Sequence, residues 1–295
     1  MMDLIRFDSK DKFIKSINRV YKQRISVERY IASKHKHNKL LYFLGLNKWY
    51  LNGYCEACEK PATFMMDWKY STNNNPNYRE RLVCKNCKLN NRQRFMISYI
   101  KNIINKKPNL VNTLYIFEQT TIFYRYIEKT FIDKINIIGS EYLGPGKKPG
   151  DYYSGIRHED ALRLSFIDES IDIIVSNDVF EHVPNIEVAM IEAYRVLSKR
   201  GKLLFSIPFH HKESKTKQRA FVDNVGNINM ILTPQYHANP LSNKGALVFY
   251  DFGWDILDIC KNSGFKEVYL QGYYSMFHGY LGGGIQFIFV ADKEN

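Results

Sequence analysis

Four cysteines stand in two matched pairs, Cys55-x2-Cys58 and Cys84-x2-Cys87, with 25 residues between the pairs. Thiolates at that spacing can surround one tetrahedral ion, and zinc is the ion such sets hold. Two disulfides are the alternative use of the same residues. The leading segment MMDLIRFDSKDK lacks an apolar secretion core, no apolar run reaches membrane-spanning length, and the fifth cysteine, Cys260, stands alone on a helical stretch. These features predict a cytoplasmic, reducing setting and therefore zinc. Four thiolates fill the coordination shell, so the expected role of the metal is structural. Cys260 reads as a small core residue.

A second group with chemical capacity, Asp178, Glu181 and His182, lies within residues 171–209. Ile171, Ile173, Ile174 and Val175 make the near-continuous apolar run of a strand buried on both faces, and the polar SNDVFEH follows at its C-terminal end. Ligands of open α/β sheets bind at such ends. Beyond Asn185, the residues Ile186, Ala189, Met190, Ala193, Val196 and Leu197 recur at helical spacing. Arg200 and Gly201 are predicted to stop that helix, residues 202–207 to form the next strand, and Pro208 to close it.

DVFEHVPN, through Val179, Glu181, His182, Val183 and Pro184, and YRVLSKRGKLLFSIP, through Arg195, Val196, Leu197 and Gly201, resemble the second half of the class I S-adenosylmethionine-dependent methyltransferases. The resemblance covers roughly residues 110–291 and implies a Rossmann-like α/β fold with a seven-stranded sheet. On the same resemblance, Glu141 in INIIGSEY accepts hydrogen bonds from the cofactor ribose, because a carboxylate can take two O–H donors. IRHEDALRLSFIDESIDIIV implies that Asp160, with Ala161 beside it, meets the adenine; a solvated charge cluster is the alternative. The first strand, LYIF, runs into Glu118-Gln119-Thr120-Thr121, where the family carries a glycine-rich loop. FEQTT together with IIGSEY resembles a bacterial subgroup with zinc-ribbon N-termini, which implies that Glu118 faces the cofactor amino group. Asn177 and Asp178 complete the implied cofactor-binding set. WDILDICKNSGFKEVYLQGY predicts a helix ended by Gly264 and a strand over residues 265–270, and IQFIFVA a strand over residues 285–291, as the antiparallel edge pair of the sheet. Gly282-Gly283-Gly284 precedes a strand and not a helix, so it reads as a turn and not as a phosphate cradle.

Methyl transfer from a sulfonium is an in-line displacement, so such an enzyme supplies alignment, with a base or cation where the acceptor is a hydroxyl. His182 and His210 are the candidate bases, and Asp178 is counted with them as a candidate catalytic residue. Resemblance to ubiquinone-type O-methyltransferases and small-RNA 2′-O-methyltransferases implies that Asp178, Glu181, His182 and a later histidine hold Mg2+ or another divalent cation. His237 in QYHANP, or His210 and His211, can supply that ligand. The alternative is that Glu181 and His182 only cap the following helix and brace the loop. The insertion around residues 236–254 is expected to cover the acceptor, with Phe249, Tyr250, Phe252 and Trp254 either lining its pocket or packing the lid.

At 295 residues the chain exceeds one average domain, and 45% hydrophobic content suffices for a buried core. Residues 1–45 read as basic helices, 46–108 as a zinc ribbon and linker helix with the polar loop STNNNPN inside it, and 109–295 as the methyltransferase domain. The net charge of +12 is lopsided: residues 1–110 hold 23 Lys+Arg against 8 Asp+Glu, the remainder 19 against 22. A basic zinc module suits an RNA partner, with residues 90–94 (NNRQR) and Trp68, Tyr70 and Tyr78 as phosphate and base contacts. The abundance of Lys, Asn and Ile also fits an AT-rich coding sequence, which would leave the charge without functional meaning. The sequence therefore supports an S-adenosylmethionine-dependent methyltransferase acting on a hydroxyl of a small-molecule or glycan acceptor. An RNA methyltransferase and a non-catalytic zinc-containing interaction protein are the alternatives.

Overall fold

The structure, a computed structural model, describes residues 2–35, 47–72, 75–106, 110–239 and 241–294. The expected boundaries at residues 45/46 and 108/109, the last ten residues of the basic segment, Asn73 and Asn74 of the polar loop, and Pro240 lie outside the described residues. Two compact units are formed, one from Met1–Lys107 with Leu270–Ile288, the other from Pro108–Tyr269 with Phe289–Asn295.

In chain order the first unit opens with β1 (Asp3–Phe7) and α1 (Lys10–Ser33), followed by β2 (Lys48–Cys55), β3 (Lys60–Asp67), the short α2 (Tyr78–Arg81), β4 (Val83–Cys84) and α3 (Asn91–Lys106). Residues 1–45 read as helices throughout, yet DLIRF is a strand pairing antiparallel with residues 270–274. Ser9 then starts α1, its hydroxyl accepting from the Lys12 N–H. Antiparallel β2, β3 and β4 bring the two cysteine pairs together. Arg94 is wholly buried, donating to the carbonyls of His278 at 2.6 Å, Gly279 at 2.7 Å and Leu82 at 3.4 Å, with the ring of Phe64 stacked 4.2 Å from its guanidinium. Arg94→Met should cost this unit about 3–5 kcal/mol, since three carbonyls lose their donor, and denaturant unfolding checks it.

The second unit carries β5 (Thr113–Ile116), α4 (Ile122–Phe131), β6 (Asn136–Gly139), the ribbon β7 (Tyr152–Tyr153) and β8 (Ile156–Arg157), then β9 (Ile171–Asn177), α5 (Ile186–Val196) and β10 (Leu197–Ser206). An insertion of short strands follows: β11 (Lys217–Gln218), β12 (Ala220–Val222), β13 (Ile228–Met230), β14 (Tyr236–Asn239), β15 (Ser242–Leu247) and β16 (Tyr250–Asp251). The chain finishes with α6 (Ile256–Asn262), β17 (Glu267–Tyr274) and β18 (Gln286–Asp292). The seven-stranded sheet has the order β1-β17-β18-β10-β9-β5-β6, parallel from β10 through β6 and antiparallel at β10–β18 and β1–β17. The expected edge pair is thus not at the edge, because β1 covers it. α5 stops at Val196, four residues before the expected Arg200, since Leu197 has already turned to extended backbone with ψ 136. Gly264 sits at φ +112 after α6, and a Cβ there would meet the Tyr194 ring at 2.8 Å, which is why a glycine ends this helix.

Candidate functional site

Parallel pairing puts the expected cofactor residues in one layer. Ile116 stands opposite both Gly139 and Val175, so Glu118, Glu141 and Asn177 each follow by two residues at the carboxyl ends of adjacent strands. The Asn177 amide donates to Glu118 Oε1 at 2.7 Å, and Glu118 is buried. Glu141 Oε1 takes three donors from the glycine-free loop: the N–H groups of Gln119 and Thr120, each at 2.9 Å, and the Thr120 hydroxyl at 2.7 Å. The sequence EQTT therefore keeps its shape through a carboxylate clamp, without glycines. Gln119 is fixed at both ends of its amide, accepting from the Arg157 N–H at 2.8 Å and donating to the Gly155 carbonyl at 3.3 Å.

The third acidic position lies on less regular backbone. A single parallel bridge joins Glu141 to His158, and Asp160 follows in a bridge with Arg163 whose turn is closed by Leu162 N–H donating to Asp160 Oδ1 at 2.9 Å. Ala161 is the next residue of that turn. His158 is buried, and its Nδ1 accepts from the Leu143 N–H at 3.1 Å, a bond that fixes the tautomer with hydrogen on Nε2.

Asp178 has left-handed backbone at φ +52, rare for a residue with a side chain, directly after β9. Its N–H donates to the Ser206 carbonyl and its Oδ1 accepts from the Ser206 hydroxyl, both at 2.9 Å. One 3₁₀ turn on, Phe180–His182, the Glu181 side chain is completely buried, and neither of its carboxylate oxygens has a hydrogen-bond donor. Two imidazoles face it instead, His237 Nδ1 at 3.4 Å and His182 Nε2 at 3.7 Å from Oε1. His182 Nδ1 lies 2.7 Å from the Leu247 carbonyl, so that nitrogen carries hydrogen, and in the neutral ring Nε2 presents a lone pair to the carboxylate. Two lone-pair atoms aimed at each other without a proton repel, and a cation between them converts the repulsion to coordination.

Of the expected cation set, Glu181, His182 and His237 bring their ligand atoms within 4.8 Å of one another. Asp178 is not in that group: its carboxylate turns to Ser206. Nor is His210, half-exposed with Nε2 3.9 Å from Asp251 Oδ1. The signal for His237 was its residue type; the carbonyl of Leu247, which orients His182, left none. Phe249, Tyr250, Phe252 and Trp254 are all buried, the Tyr250 hydroxyl donating to the Pro184 carbonyl and the Trp254 indole to the His211 carbonyl, both at 2.8 Å. They pack the insertion.

In the first unit the Sγ atoms of Cys55, Cys58, Cys84 and Cys87 also lie within 4.8 Å of one another, and none of these cysteines is in a disulfide. Hydrogen bonding with Cys58 is the main cause drawing the Cys55 thiol down to about 7. Cys260 is buried near Met190 Sδ at 3.8 Å, and burial pushes its thiol up to about 12. Most residues expected to touch RNA are interior: Trp68, Tyr78, Arg92 and Arg94 are buried, Arg92 pairing with Glu80 and Tyr78 donating to the Glu28 carbonyl, whereas Tyr70 is exposed. Net charge counts a basic side chain equally whether it meets water or the interior, and Arg92 and Arg94 meet a carboxylate and buried carbonyls.

Residues 143–205 match the methyltransferase domain family. No curated protein matches the chain. Among solved structures, the chain resembles an S-adenosylmethionine-dependent methyltransferase from Mesorhizobium loti at 12% identity and TM-score 0.38, covering 65% of this chain and 96% of that one. It also resembles a SAM-dependent methyltransferase from Methanosarcina mazei at 14% and 0.37, covering 65% and 97%. A third likeness is to Haemonchus contortus phosphoethanolamine N-methyltransferase 2, at 13% and 0.38, covering 66% and 52%. None of the described helices is long and apolar enough to cross a membrane. With the matched segment holding β9, α5 and most of β10, the chain carries a methyltransferase domain of the class I, S-adenosylmethionine-dependent kind.

Proposed function

We propose that the protein methylates a hydroxyl of a small-molecule or glycan acceptor, using a divalent cation held by Glu181, His182 and His237. The observation that carries this reading is the Glu181 carboxylate, fully buried without a hydrogen-bond donor and faced by two imidazole nitrogens. Burying such a group costs several kcal/mol unless something positive compensates it. Mg2+ or another divalent cation would be held by one carboxylate and two imidazoles, a set that favours a transition-series ion such as Mn2+ or Zn2+ over oxygen-seeking Mg2+, and would lower the pKa of a coordinated acceptor hydroxyl. S-adenosylmethionine, when bound, supplies a methyl group on a positively charged sulfur.

The chain's own residues do the rest. Glu118, braced by Asn177, offers a carboxylate for the cofactor ammonium, and Glu141 keeps Oε2 available for ribose hydroxyls while Oε1 holds the loop. Asp160 and Ala161 suit the adenine. Asp178, rigid through two bonds to Ser206, lines the end of β9. His210, half-exposed with Nε2 3.9 Å from Asp251, is the candidate to take the acceptor proton. Zinc suits the four thiols of the first unit as a structural ion, in the manner of the bacterial subgroup with zinc-ribbon N-termini. An RNA acceptor is the less supported reading, because Arg92, Arg94, Trp68 and Tyr78 are committed to the interior.

Calorimetric titration with S-adenosylmethionine should give binding in the micromolar range, and a hydroxyl acceptor should gain one methyl mass only when divalent cation is present. No heat at millimolar cofactor would remove the reading. Glu141→Ala should weaken cofactor binding by about 1–3 kcal/mol, because both the ribose contact and the loop clamp are lost. An unchanged affinity in the same titration would take Glu141 out of the site.

A further inference from the structure

One hairpin of the insertion, β14 with β15, reaches both imidazoles that face Glu181, each at the ring nitrogen turned away from the carboxylate. Its ladder pairs Tyr236 with Leu247 and His237 with Ala246. The Val248 N–H donates to the Gln235 carbonyl at 2.9 Å, so Gln235 and Leu247 are near neighbours across the two strands. The Phe249 N–H, two residues beyond Leu247, donates to the Glu181 carbonyl at 2.7 Å and ties the end of the hairpin to the 3₁₀ turn. From this frame the Leu247 carbonyl stands 2.7 Å from His182 Nδ1, and the side-chain amide nitrogen of Gln235 stands 3.3 Å from His237 Nε2.

The two contacts differ in kind. A carbonyl only accepts, so Leu247 admits a single neutral form of His182, with hydrogen on Nδ1 and the lone pair on Nε2 toward Glu181. An amide can donate or accept. With its nitrogen toward His237, Gln235 donates to the Nε2 lone pair, and the neutral ring then carries hydrogen on Nδ1, the atom 3.4 Å from Glu181 Oε1. A ring in that form cannot ligate a cation through Nδ1. A half-turn about the last torsion of Gln235, which is soft and roughly twofold, brings Oε1 to face Nε2 instead. The hydrogen then sits on Nε2, and Nδ1 offers a lone pair to the carboxylate side, as His182 Nε2 does.

We propose that Gln235 is a positioning residue for the cation site: its amide oxygen accepts from His237 Nε2–H and thereby makes Nδ1 a ligand. The inference rests on the reading of Glu181, His182 and His237 as a cation site. Metal-bound histidines generally donate their second N–H to an oxygen, and loss of that partner typically weakens metal binding about 10–100-fold. Leu247 does this for His182 through a backbone group, and Gln235 does it for His237 through a side chain, which substitution can reach. Gln235 is exposed, just before β14, so its replacement opens no cavity in the core.

Calorimetric titration of the zinc-loaded full chain with Mn2+ tests this, since Mn2+ competes poorly with zinc for four thiolates. The parent should bind one Mn2+. Gln235→Leu should bind it about 10–100-fold more weakly, while the thermal midpoint before Mn2+ is added stays that of the parent. Gln235→Glu, whose oxygens can only accept when ionised, should bind at least as tightly as the parent. Its margin over Gln235→Leu should persist at raised salt, where the attraction of an added exposed charge is screened. Equal Mn2+ affinity in the parent and Gln235→Leu would overturn the role of Gln235 and leave the cation site standing. So would a Gln235→Glu variant as weak as Gln235→Leu. A parent that takes up no Mn2+ would overturn both this proposal and the cation reading beneath it.

Discussion

Cys84→Ser is expected to lower the zinc content of the purified protein from one ion per chain to none and to unfold the unit formed by residues 1–107 and 270–288. Cys84 is buried and pairs with Phe64 at the end of the β3–β4 ladder, so its thiolate is presented by backbone that has little other support: β4 is two residues long. Structural zinc is worth about 10–16 kcal/mol in small four-ligand modules at neutral pH, more than the whole stability of most domains. Removing one ligand forfeits much of that and leaves three thiols crowded around an incomplete site. Metal analysis and limited proteolysis check both halves. A variant that keeps stoichiometric zinc would show that the quartet is not the site.

Glu181→Gln should separate stability from activity. In chelator-treated protein the introduced amide can donate to the lone pair on His182 Nε2, which the hydrogen bond between Nδ1 and Leu247 leaves facing it. The substitution also removes a buried carboxylate that has no donor. The metal-free variant should therefore be more stable than the parent by about 1–3 kcal/mol, a Tm rise of roughly 2–4 °C for each kcal/mol. Conversely, the stabilisation expected when the parent is given a divalent cation should be absent, and methyl transfer should fall about 10²-fold or more, the equivalent of roughly 3 kcal/mol of transition-state stabilisation. Thermal scans with and without cation, beside a transfer assay, read all three effects. A variant less stable than the parent when metal-free, with full activity, would leave Glu181 a plain structural residue. This gain is the converse of the cost that functional sites commonly impose on folding.

The parts of the fold that were legible are those written in local periodicity. β9 reads directly from Ile171, Ile173, Ile174 and Val175, and α5 from the spacing of Ile186, Ala189, Met190 and Ala193, because both bury one continuous apolar surface. β1 was not legible, since DLIRF obtains its ladder from residues 270–274 and nothing within its own neighbourhood favours strand over helix. In the candidate site, the cysteine quartet and the Glu181–His182–His237 group follow from residue type, and the structure gathers both. Residue type does not tell where a side chain's bonds go. Asp178 was expected among the cation ligands and instead bonds Ser206, and Arg94 was expected at RNA phosphates and instead holds three carbonyls. The Gly282-Gly283-Gly284 turn has a partner the sequence conceals, because the N–H groups of Gly282 and Gly284 donate to buried Glu28, more than 250 residues earlier in the chain.

That last contact bears on how the molecule comes into being. A nascent chain leaves the ribosome N-terminus first, yet the cysteine-bearing unit is finished only by residues 270–288, some 180 positions after Cys87. At roughly 5–20 residues per second the thiols wait on the order of ten seconds or more before β1, Glu28 and Arg94 find their partners. Early capture of the metal would shelter those sulfurs through translation, and shortage of it would expose a half-built ribbon to aggregation.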